Sequence, residues 1–139
     1  MNVALWILQV LLAAVFAAHG WMLLAPPPDL LAIMNEQMPT WFRLFLGAAE
    51  IAGAVGILLP ALTRVQPWLT PLAAACLAFV VACATILHLV RSEFGSAVIT
   101  LILCAIALFV AYGRWRVRPI RARGTSGPGS LNPQGHAAS

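Results

Sequence analysis

Residues 43–60 read "RLFLGAAEIAGAVGILLP", an apolar run interrupted in its middle by one glutamate. Within six residues of Glu50 on either side there is no other polar side chain. Extended to about Thr40–Leu62, the run is long enough to cross a ~30 Å hydrocarbon core as a helix, which takes about 20 residues. Arg43 and Glu50 stand seven residues apart, so they share one helix face, about 10 Å apart along the axis. Gly47 and Gly53 flank that face, followed by Ala54 and Gly56, and small residues let a neighbouring helix approach closely. Glu50 is therefore expected to face protein rather than lipid.

Outward from this stretch the composition gives the same answer. The chain has 139 residues, of which 62% are hydrophobic and 9% charged. Soluble domains carry about 25% charged residues, so charge cannot cover a globular surface here and a bilayer is the natural solvent. The length fits one domain, and no solenoid repeat is visible. Four spans are expected, at about 3–24, 40–62, 70–90 and 96–112. The first resembles a signal peptide in its small residues Ala17, Ala18 and Gly20. Its start has no Arg or Lys and the run exceeds an ordinary signal core, so it reads as a retained helix. "APPPDL" stops it, because proline cannot continue a helix interior. Residues 29–42 connect to the second span, with a short helix at "DLLAIMNEQM". "PALTRVQPWLTP" and "RSEFG" form the other two connections. The predicted fold is all-α: a four-transmembrane-helix bundle over residues 1–113, with a short outer connecting helix and a basic C-terminal tail.

The tail, 114–139, begins with "GRWRVRPIRARG" from Gly113, holding five of the eight arginines, and continues as a Gly/Pro/Ser-rich stretch of the kind that stays disordered. A basic run can serve nucleic acid, but this one abuts a membrane helix, and the positive-inside rule accounts for it. Both termini are then cytoplasmic. Arg64, Arg114, Arg116, Arg118, Arg121 and Arg123 lie inside, and Arg43 and Arg91 outside.

In an up-and-down bundle the ends of spans one and three share a membrane face with the starts of spans two and four. His19, Arg43, Glu50, His88, Arg91 and Glu93 thus converge on the predicted outer half. Ionisable residues in spanning segments are costly and point to functional sites. Glu50, His19 and His88 are the candidate catalytic groups. Arg43, Thr85, Trp21, Trp41, Ser96 and Thr100 are the candidate substrate contacts. Thr85 and His88 share a face, as do Ser96, Thr100 and Cys104. Trp21 and Trp41 also suit an interfacial aromatic belt. A polar clamp fixing helix register is the structural alternative. Cys76, Cys83 and Cys104 show no metal or C-x-x-C spacing and read as small apolar fillers. No metal is expected. A haem between His19 and His88 is geometrically open to a four-helix bundle, but no haem motif accompanies it.

The segment "RLFLGAAEIAGAVGILLPAL" resembles the second helix of the DoxX-like membrane family. "NVALWILQVLLAAVFAAHGWMLL", "PWLTPLAA" and a late "HL" follow the same order of features, over residues 1 to about 112. The resemblance implies a four-helix bacterial inner-membrane protein, linked through relatives to thiosulfate:quinone redox chemistry. Such proteins often carry G-x-x-K-L late in the first helix. Here the stretch is Gly20-Trp21-Met22-Leu23-Leu24, so Leu23 replaces the lysine. That leaves Arg43 as the candidate fixed cation and His19 as the polar residue of this helix end.

Three functions are compatible with these residues. One is a cofactor-free acid–base enzyme on a lipophilic small molecule, of isomerase, epoxide-opening or cyclisation type, since such chemistry needs paired titratable groups in different environments. The second is a membrane component of quinone or thiol redox metabolism, with quinone bound near Glu50 and a redox partner enzyme. The third is a structural or partner-binding subunit. The expected partners are the lipid bilayer, a lipophilic small molecule and a redox or biosynthetic enzyme, with no nucleic acid.

Overall fold

A computed structural model describes residues 2–123; the expected disordered segment from Gly124 onward lies outside the described residues. All regular secondary structure is helical, with no strand among the described residues. Its elements are α1 (Asn2–Leu24), α2 (Pro28–Gln37), α3 (Thr40–Thr63), α4 (Leu69–Val90) and α5 (Phe94–Tyr112), the last continuing through a π-helical turn, Gly113–Val117. Among the described residues four helices are long and apolar enough to cross a membrane: Asn2–Leu24, Thr40–Thr63, Leu69–Val90 and Phe94–Val117. The four-helix reading of the sequence holds.

Proline sets the punctuation. Pro26, Pro27 and Pro28 have no N–H, so the carbonyls of Met22, Leu23 and Leu24 lose the donors that would continue α1. Pro27 and Pro28 then start α2, where a missing N–H costs nothing. Pro39 starts α3 in the same way. Arg64 ends α3 in the left-handed region (φ 58°), and its N–H returns to the Pro60 carbonyl. Ser92, in the tight α4–α5 link, is also left-handed (φ 61°).

The spanning helices form a closed ring: α1 packs on α3, α3 on α4, α4 on α5, and α5 returns to α1. The common core holds Leu12, Phe16, Ile57, Leu77, Val81 and Val110. Lipid chains are as apolar as these side chains, so close packing and interhelical hydrogen bonds hold the bundle rather than hydrophobic transfer. The α1–α3 seam is closest at Gly20 and Gly47, where a Cβ on either would lie 2.8–2.9 Å from the other's carbonyl oxygen. Helix α3 turns a second small face, Gly53 and Gly56, to Leu77 and Ala73 of α4. Helix α2 has no buried residue. Its C-terminal end is tied to the α4–α5 link by Arg91 Nη2, which donates to the Gln37 carbonyl (3.1 Å).

Candidate functional site

Glu50 projects from α3 into the α1–α3 seam and is 3% exposed. Its position starts about 15 Å along the helix from Thr40. Two consecutive residues of α1 prepare its place. Gly20 has no side chain where one would come within 3.2 Å of the Glu50 Cβ. His19 supplies the partner: its Nδ1 lies 2.6 Å from Glu50 Oε2, a hydrogen bond whose proton either atom can carry. The carboxylate is sealed (side chain 4% exposed) while the imidazole is half open (48%) on the outer surface of the bundle. A buried carboxyl without a partner is strongly disfavoured, and this contact supplies one.

Arg43 takes a different partner from the one its spacing suggested. It is buried (5% exposed), and its Nη1 donates to the Leu23 carbonyl at the end of α1. That carbonyl is one of those left without a donor by the proline run, because Pro27 has no N–H to offer it. Arg43 therefore caps α1. Among the described residues the ion pairs within 4 Å are His19–Glu50 and His88–Glu93, so Arg43 is not the counter-ion of Glu50. Its Nε is buried without a hydrogen-bond partner.

The other sequence candidates fall into separate places. His88 Nδ1 lies 2.6 Å from Glu93 Oε2, a pair formed within the α4–α5 link rather than across the bundle. Thr85 and Thr100 join α4 to α5 through a 2.9 Å hydrogen bond. The Thr85 hydroxyl is also set by the Val81 carbonyl (2.7 Å), and that of Thr100 by the main-chain carbonyl of Ser96 (3.0 Å). Trp21 and Trp41 are 66% and 70% exposed, and Trp41 packs edge-on against Phe42, as suits an aromatic belt. Cys76, Cys83 and Cys104 are free thiols. Among the described residues no group of three or more His, Cys, Asp or Glu side chains is placed to hold a metal ion.

Two apolar grooves lie away from these residues. One, of about 400 Å³, runs between α3 and α4 along Gly53, Gly56, Ala73 and Cys76. The other, of about 350 Å³, lies beside Pro60 and Leu69. Neither is lined by Glu50, His19 or His88.

A second polar cluster, unforeseen from the sequence, occupies the opposite half of the bundle. Arg114, which the sequence reading placed in the basic C-terminal tail, is 3% exposed. Its Nε donates to Gln9 Oε1 (2.5 Å) and its Nη1 to Asn2 Oδ1 (2.8 Å). The guanidinium carbon lies 5.2 Å from the Trp6 ring centroid, a cation–π contact. Gln9 in turn donates through Nε2 to the Ile57 carbonyl (3.1 Å). Ile57 follows Gly56, whose carbonyl has no intrahelical donor because Pro60 lacks an N–H. A side chain from a neighbouring helix thus supports α3 where proline perturbs it. The signal was present in the sequence: Gln9 is a lone amide in an apolar span, facing a span that contains a proline.

Comparison with known proteins follows the same lines. Residues 7–110, well over half of the chain, match the DoxX-like family. No curated protein and no solved structure matches the chain. With its four membrane-crossing helices, this multi-pass membrane protein belongs to the DoxX-like family.

Proposed function

We propose that His19 and Glu50 form a proton-transfer site for a lipophilic small molecule that approaches from the bilayer. The observation that carries this reading is the 2.6 Å contact between a sealed carboxylate and a half-open imidazole. Glu50 fixes the ring through Nδ1 and shares its proton. Nε2, the nitrogen not bonded to Glu50, belongs to the half-open side of the pair. Such a dyad moves a proton to or from a polar group held beside the α1–α3 seam. Isomerisation and cyclisation return the proton they take, and epoxide opening consumes only water, so the chemistry needs no bound cofactor. Because the imidazole lies on the outer surface of the bundle, the substrate class is one that lies among lipid chains with a hydroxyl, carbonyl or epoxide near its polar end.

The test compares lipid-soluble extracts of membranes carrying the wild-type protein or Glu50→Gln, by chromatography and mass spectrometry. The expected result is a species that accumulates in the Glu50→Gln membranes and an isomeric or water-added counterpart confined to wild type. His19→Gln should reproduce the Glu50→Gln pattern. Identical extracts from wild-type and variant membranes of equal protein content would overturn the catalytic reading. They would favour a clamp instead, which the adjacent Gly20–Gly47 contact supports as a second reading.

A further inference from the structure

Among the described residues the carboxylates share one half of the bundle with Arg43 and Arg91, and the other six arginines lie at the opposite end. Asp29 and Glu36 lie in α2, Glu93 lies in the α4–α5 link, and Glu50 lies in the first half of α3. All four carboxylates therefore belong to the half that carries α2. The other end, made by the α3–α4 loop and the residues after α5, has Arg64, Arg114, Arg116, Arg118, Arg121 and Arg123 and no Asp or Glu among the described residues. Arg114 is consumed inside the bundle. The remaining five are exposed.

The segment after Val117 does not simply leave the bundle. The Arg123 N–H donates to the Arg64 carbonyl (3.0 Å), and Ile120 is half-buried. This draws residue 123 back to the α3–α4 loop and sets Arg123 beside Arg64, with Arg121 two residues before it in the chain. Trp68, Tyr112 and Trp115 are 60–64% exposed on the flanking elements. Aromatic side chains of this kind settle at headgroup depth. In a bilayer the arginines would then sit at phosphate depth, and among the described residues no Asp or Glu belongs to their end of the bundle.

We infer that this end of the bundle is a binding surface for anionic phospholipid headgroups, with Arg64 and Arg123 tied together at its centre and Arg121 exposed two residues before Arg123. Arginine suits the role because its planar fork pairs two N–H groups with a phosphate. Basic residues near an anionic leaflet each add about fivefold to binding, so three together separate anionic from zwitterionic lipid by about two orders of magnitude.

The full-length protein is reconstituted in nanodiscs of phosphatidylcholine with a minor fraction of phosphatidylglycerol. Lipids that stay bound on gentle release are counted by native mass spectrometry. The expected result is strong enrichment of phosphatidylglycerol on the wild type, lost on raising the salt. Arg121→Gln/Arg123→Gln should weaken that enrichment by about 25-fold, from about fivefold for each charge. Arg91→Gln, at the opposite end, should leave it unchanged. Equal retention of the two lipids by the wild type would overturn the proposal. So would enrichment that the double variant keeps, or that the Arg91 variant loses equally. If poly-glutamate binds the detergent-purified protein through the same arginines while phosphatidylglycerol does not, the surface belongs to an acidic protein and the lipid assignment fails.

Discussion

At Gly47 a single added methyl group would sit 2.9 Å from the Gly20 carbonyl oxygen and 3.0 Å from Leu23 Cβ. Backbone cannot yield there as the end of a side chain can, so the two helices must separate. Gly47→Ala should lower stability by about 1–3 kcal/mol, the usual range for overpacking. Thermal unfolding in detergent measures it. Gly95, near the start of α5, has nothing within 4 Å of the same position, and Gly95→Ala should be neutral or slightly stabilising. A Gly47→Ala protein as stable as Gly95→Ala would show that the seam does not depend on close backbone contact. The same seam gives the His19–Glu50 pair its geometry. Gly47→Ala should therefore also disturb whatever chemistry Glu50→Gln abolishes, through position rather than through loss of a proton-carrying group.

Each helix has ends and interruptions whose backbone groups need partners, and two arginines answer that need. Arg43 closes the end of α1 that the prolines left open. Arg43→Met keeps much of the side-chain volume but removes the donor. It should cost about 1–3 kcal/mol, the penalty for an unsatisfied buried acceptor. If Arg43 were instead the counter-ion of Glu50, Glu50→Gln would partly rescue Arg43→Met; the contacts observed lead us to expect no rescue. Around Pro60 the chain of contacts runs from the Ile57 carbonyl through Gln9 to Arg114. Members of one hydrogen-bond network do not contribute independently, with couplings of about 0.5–3 kcal/mol. Gln9→Leu and Arg114→Met should each destabilise, and the double variant should lose clearly less than their sum. Simple additivity would mean that the network carries no energy of its own.

For the molecule as a whole, orientation follows from the charge asymmetry. Six arginines lie at the end formed by the α3–α4 loop and the C-terminal residues, and two in the half that carries α2. Because basic residues favour the cytoplasmic side, both termini should be cytoplasmic. In a variant freed of Cys76, Cys83 and Cys104, a cysteine at Ser130 should react with an impermeant reagent only after cell lysis. One at Glu36 should react in intact cells; the reverse pattern would invert the topology. The Gly/Pro/Ser-rich composition after Arg123 cannot build a core. Truncation after Arg123 should therefore leave membrane accumulation and unfolding temperature unchanged, whereas truncation after Tyr112 should destabilise by removing Arg114 from its network.

The number of spans and their interruptions were legible in the sequence because hydropathy and proline act locally. The run around Glu50, the "APPPDL" stop and the Arg64 turn each needed only their own neighbours. The presence of His19, Arg43, Glu50 and His88 in one half of the bundle followed from alternating helix direction. Their pairing did not. In a soluble helix an apolar stripe marks the inward face, but in a bilayer both faces are apolar, so helix rotation leaves little trace in the pattern. Arg43 turned to a carbonyl of α1, His88 to a carboxylate five residues along its own chain, and Arg114 went inward because the last helix runs on through a π-turn. Of the expected contacts to Glu50, only His19 is made, because it stands beside the one glycine of α1 that lets α3 come close. Sequence determined which groups had to find partners inside the membrane. Tertiary packing decided which partners they found, since short-range hydrogen bonds depend on the rotation and register of helices that a uniformly apolar sequence does not specify.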